Sequence, residues 1–128
     1  MKKLVLLIAL IFLFSCTNKE QGYNSLEKGL ISTLENKDEK EIMKHFNSAA
    51  KNGNKEVFEA VYNYFGNTQE EFFDKYTKKS KGEAEYYKAL ISSQRNDSKD
   101  KIIKILESSI KQGNVKSYYT LGTIYQDN

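Results

Sequence analysis

The feature that most constrains this chain is a repeat of period 30. Ile42-Met43 is followed thirty residues later by Phe72-Phe73 and again by Ile102-Ile103. Phe46, Tyr76 and Leu106 keep the same spacing, as do Ala50, Ser80 and Ile110. Within each unit the positions typified by 42, 43, 46 and 50 fall on one face of an α-helix. A second set follows in Ala60, Leu90 and Thr120, with Val61, Ile91 and Leu121 beside them. Leu30 and Ile31 fit these columns one period earlier. Each unit therefore predicts two amphipathic helices, with half a unit ahead of the first complete one.

Local signals divide the chain at the same places. Asp38 with Glu41 and Thr68 with Glu71 have the spacing of a capping box, in which side chains satisfy the free N–H groups of a first turn. Ser98 stands in the same column, with Lys101 in place of the acid and Asp100 suited to the helix dipole. Asn52-Gly53-Asn54, Lys81-Gly82-Glu83 and Gln112-Gly113-Asn114 separate the two helices of each unit, where glycine can close a helix in the left-handed conformation. Gly82 is one residue ahead of strict register. Gly66-Asn67 and Arg95-Asn96-Asp97 end the second helices. There is no proline to interrupt any of them. The expected elements are helices over 23–35, 38–51, 55–65, 68–80, 83–94, 98–111 and 115–126. The expected fold class is all-α, a short α-solenoid of antiparallel helix hairpins, since one hairpin cannot bury its own apolar face.

The stretch Lys111, Gln112, Gly113, Asn114, followed by Tyr118-Tyr119-Thr120-Leu121-Gly122-Thr123-Ile124-Tyr125, resembles a Sel1-like unit of the tetratricopeptide superfamily. Leu121, Gly122 and Tyr125 match that pattern, and the other two units match in apolar columns and loop glycines. The resemblance implies a protein-binding scaffold over residues 23–128. Some Sel1-like secreted proteins with β-lactamase-like activity carry a disulfide in each repeat. This chain lacks that framework, so the activity is not carried over.

The N-terminus indicates a compartment. Lys2 and Lys3 precede the apolar run Leu4 to Phe14, the pattern of a secretory signal peptide. The run is shorter than the ~20 apolar residues of a membrane span. Leu13-Phe14-Ser15-Cys16 resembles the lipobox of bacterial lipoproteins. That resemblance implies removal of residues 1–15, lipidation of Cys16 and attachment to an envelope membrane. Two or three acyl chains anchor stably, at about 0.8 kcal/mol per buried CH₂. Residues 16–22 are then expected to form a flexible tether. An ordinary secreted protein is the alternative.

Cys16 is the only cysteine, so no disulfide framework is available. Without Lys2 and Lys3 the remaining chain has 18 basic and 17 acidic residues. This balance and the export signal argue against nucleic-acid binding. His45 is the only histidine and has no cysteine or histidine companion for a metal. The glycines stand singly, unlike a phosphate-binding loop. The acidic pairs fall in first turns, where the helix dipole accounts for them. No catalytic residue, metal or cofactor is therefore assigned.

The 16 Phe and Tyr residues concentrate mid-chain at core spacing. Candidate partner-binding positions lie in columns flanking the core face of the first helices: His45, Lys75 and Ile105, then Ala49, Lys79 and Ser109. Tyr118 and Tyr125 join them, on a second helix whose Leu121 and Ile124 would ordinarily meet a following unit. Three explanations stay open for that last face: local packing, docking of a partner or second copy, or a truncated reading frame. The functional expectation is an envelope lipoprotein acting as a protein-interaction module. An immunity or inhibitor lipoprotein against an envelope effector, or a small hydrolase, are the alternatives.

Overall fold

A computed structural model describes the backbone of residues 2–127 and the side chains of residues 18–127. The described residues are all-helical: α1 (Lys2–Leu34), α2 (Glu39–Lys51), α3 (Glu56–Phe65), a short 3₁₀ helix Gly66–Gln69, α4 (Glu70–Lys75), α5 (Glu83–Gln94), α6 (Lys99–Lys111) and α7 (Val115–Gln126). Among them no helix is long and apolar enough to cross a membrane. The side chain of Cys16, the expected lipidation site, lies outside the described residues. The chain divides into two compact units, Met1–Val57 and Phe58–Asn128.

In the first unit α1 and α2 run antiparallel. Ser25 Oγ meets Ser48 Oγ at 2.9 Å, and the Gly29 backbone lies against the ring of Phe46. A Cβ on Gly29 would come within 2.4 Å of that ring. Small residues on α1 thus make room for the fully buried Phe46, beside buried Leu26, Ile42, Met43 and Ala49. Asp38 Oδ1 accepts from Glu41 N at 2.8 Å and starts α2 as its spacing predicts. The expected tether is helical over residues 18–22 and continues α1. Gly22 is buried there, its Cβ position 3.3 Å from Asn54 Cβ, so packing against the end of α2 holds this stretch in place.

The second unit is built on an aromatic core. Phe58, Phe72, Phe73, Tyr76 and Tyr87 are buried. Phe58 lies 5.4 Å from Phe72 and 5.9 Å from Tyr76 between ring centroids. Phe73 and Tyr87 join α4 to α5 at 6.0 Å. Such tilted and edge-on pairs suit the ring quadrupole. Tyr64 is the exception, remaining exposed.

The helix expected over 68–80 is much shorter. Thr68 does not cap it: its hydroxyl donates to Phe65 O at 2.7 Å, within the 3₁₀ turn. Beyond Lys75 the chain unwinds, with Lys78, Lys81 and Gly82 all at positive φ. Glu85 Oε1 accepts from Lys78 N at 3.0 Å, and Ser80 Oγ accepts from Ala84 N at 2.9 Å. These bonds offset the lost helical turns. Between α5 and α6, Asp97 accepts from Ser92 Oγ at 2.5 Å, and from Lys101 and Arg95 at 3.0 Å each. The Ser92 bond, then those cations, hold its carboxyl well below the usual carboxylate range.

Candidate interaction face on α7

Asn114 positions α7. Its Oδ1 accepts from Ser117 N at 2.9 Å, capping the helix, while its Nδ2 donates to Glu83 Oε1 at 3.1 Å. Lys116 Nζ donates to Glu83 Oε2 at 2.8 Å and to Tyr87 OH at 3.3 Å. It also sits over the Tyr86 and Tyr87 rings, 5.4 and 5.2 Å from their centroids. Ser117 Oγ donates to Ser109 Oγ at 2.6 Å, and Ser109 Oγ donates to Gly82 O at 2.7 Å. Gln112 donates to Glu85 beside them. Glu83, Glu85, Asn114, Ser109 and Ser117 are all buried, and among the described residues no buried side-chain polar atom lacks a partner. This is a satisfied network, stiff rather than reactive.

Burial alone would lower the Lys116 ammonium, but its bonds to Glu83 and Tyr87 outweigh that and raise it. Burial pushes the Tyr87 hydroxyl up, against the lowering effect of Lys116. The amine therefore stays charged and the phenol neutral at physiological pH.

The network fixes the rotation of α7. Ser117 points inward with half-buried Leu121 and Ile124. The opposite side exposes Val115, Tyr118, Tyr119 and Tyr125 at 55–71 % of their surface, with Gly122 open between them. Tyr118 and Tyr119 pack edge-on at 6.1 Å. The result is an aromatic and aliphatic strip on a helix held from behind.

The other sequence candidates fall elsewhere. His45 is half-buried on α2, in the first unit. Lys75 is the exposed last residue of α4, its ammonium 5.5 Å from the Tyr76 ring centroid. Lys79 is exposed in the following turn, where its N–H donates to Tyr76 O at 3.0 Å. The column Ala49, Lys79, Ser109 is not a ligand-facing surface. Ala49 and Ser109 are fully buried, the second enclosed by the Gly82–Ser117 hydroxyl chain. Tyr118 and Tyr125 do share one open face. Val115, Tyr119 and Gly122 belong to it too, although periodicity alone did not single them out for it. Among the described residues no group of three or more His, Cys, Asp or Glu side chains could hold a metal ion. No family model matches the chain, and no curated protein or solved structure matches it.

Proposed function

We propose that this chain is an envelope-anchored protein-interaction module that binds through the outer face of α7 and acts without catalysis of its own. The carrying observation is the strip of Val115, Tyr118, Tyr119 and Tyr125, exposed on a helix whose opposite side is tied down by Asn114, Lys116 and Ser117. Tyrosine supplies large contact area at low entropic cost and is enriched at protein interfaces. A stiff support reduces what binding must spend on ordering. The period-30 hairpins favour a short tetratricopeptide or Sel1-like solenoid as the scaffold. The N-terminal signal pattern and Leu13-Phe14-Ser15-Cys16 favour export, removal of residues 1–15 and lipidation of Cys16.

Two experiments test this reading. The full chain labelled with palmitate should take up label and fractionate with membranes, and Cys16→Ser should lose both properties. Label retained by Cys16→Ser would overturn the anchor. For the binding face, the tagged full chain is crosslinked in cells and purified under denaturing conditions. Discrete adducts that disappear in a Tyr118→Ala, Tyr119→Ala double variant are expected. A chain that yields only monomer would overturn the interaction module.

A further inference from the structure

We propose that the occupant of the α7 face is α7 of a second copy of this chain, packed antiparallel, with Tyr118 of each copy seated over Gly122 of the other. The proposal rests on the interaction-module reading above and names its partner.

Three observations carry it. The first is Gly122. It lies inside a helix, where glycine is among the poorest residues, yet it has an ordinary negative φ and open space around its Cβ position. Nothing within the described fold requires it. A glycine on an exposed helical face permits another backbone or a large side chain to approach closely.

The second is the spacing. Val115, Tyr118, Gly122 and Tyr125 recur at intervals of three, four and three, the seam of a two-helix coiled coil. The strip is self-complementary when reversed: Val115 comes opposite Tyr125, and Tyr118 opposite Gly122. A large residue then meets the smallest one at both places, as an isologous interface with a two-fold axis demands. A parallel pair would instead set Tyr118 against Tyr118 and leave two glycines facing each other.

The third is charge. Lys111 lies just before α7, and Asp127 at its C-terminal end. Antiparallel pairing brings Asp127 of one copy alongside Lys111 and the positive helix terminus of the other. Parallel pairing would align like charges.

The fold also provides a precedent for covering part of this face. Thirty residues earlier, Glu85, Ala89 and Ser92 occupy the columns of Val115, Tyr119 and Gly122 and are buried, while Lys88 and Arg95, in the columns of Tyr118 and Tyr125, are half-buried and exposed. A seam of this length is smaller than a standard interface and belongs with weak, concentration-dependent ones.

The test places benzoylphenylalanine at Tyr125 of the full chain and irradiates cells expressing it. The expected product has twice the mass of the chain, with the crosslink mapping to residues 115–119 of the second copy. Gly122→Leu should lower its yield at least tenfold. That substitution improves helix propensity, so its thermal midpoint should stay level or rise, which separates lost docking from lost folding. A crosslink to a different protein would overturn self-docking and leave the interaction module standing. A crosslink from residue 125 to residue 125, or a dimer indifferent to Gly122→Leu, would overturn the antiparallel seam. No crosslink from either Tyr125 or Tyr119 would overturn both readings.

Discussion

α5 and α7 hold the same register of the repeat, thirty residues apart, and treat the same columns in opposite ways. On α5 three of these columns hold Glu85, Ala89 and Ser92, all buried. Ala89 is small enough to be enclosed, while Glu85 and Ser92 spend their polar atoms on Gln112, Lys78 and Asp97. On α7 the same columns hold Val115, Tyr119 and Gly122, two exposed apolar side chains and an exposed glycine. Burial in these three columns therefore goes with small or fully satisfied residues. The open face instead carries large side chains with unspent contact area. Polarity alone would have assigned the two faces the other way round.

The joint shared by the two helices should give the largest effect. Gly82 precedes α5 at φ +86°, and a Cβ there would lie 2.5 Å from Ser109 O and 2.7 Å from Asn114 Cβ, the cap of α7. Gly82→Ala adds left-handed strain to a backbone clash and should cost about 3 kcal/mol. The check is a chemical unfolding midpoint. Gly53 and Gly113 have a similar φ but nothing within 4 Å of their Cβ positions, so alanine there should cost about 1 kcal/mol. Equal losses at all three would show that the contact with α7 is not what constrains residue 82.

A reciprocal exchange of column residues tests the comparison directly. Ala89→Tyr forces a ring into a column that is 1 % exposed and should destabilise the fold by about 2 kcal/mol through overpacking. Tyr119→Ala, at a position 71 % exposed, should change stability by less than about 0.5 kcal/mol. Thermal midpoints of the two variants measure the difference. A large loss from Tyr119→Ala would mean that its ring supports the monomer and is not surplus contact area.

Several of these contrasts were legible in the sequence, and the exceptions have physical causes. The period of 30 located α2, α3, α5, α6 and α7 to within a residue or two, because long amphipathic helices repeat their apolar columns. It over-extended the helix at 68–80. There the apolar columns persist through Phe72, Phe73, Tyr76 and Ser80, but the backbone turns left-handed at Lys78, Lys81 and Gly82. The early placement of Gly82 was the visible sign of that irregularity. Residues 18–22 read as a tether because they are polar, whereas contact with α2 keeps them helical. The Glu83 bonds to Asn114 and Lys116 leave no mark in the period, because they join different columns of successive repeats. Tyr118 and Tyr125 were identified without Tyr119, since the rotation of α7 depends on Ser117 meeting Ser109 across the core.

The smallest effect concerns the charge that binds α5 to α7. The Lys116 ammonium and the Tyr87 phenol both have folded-state values above their ordinary ones of 10.5 and 10.0. A group raised on folding adds stability that is fully present below its unfolded value and is lost as pH rises through its folded one. The urea midpoint should therefore be level from about pH 7 to 9 and fall above about pH 10. Lys116 is nearly half exposed, with 46 % of its side-chain surface open, and solvent screening keeps its share modest. Lys116→Gln should start from a slightly lower midpoint at neutral pH and fall less steeply in alkali, because the ammonium is no longer there to lose. Parallel curves for the two proteins would assign the alkaline loss to the buried tyrosines Tyr87 and Tyr76. The Glu83–Lys116 contact would then be a consequence of how α7 packs on α5 and not one of its causes.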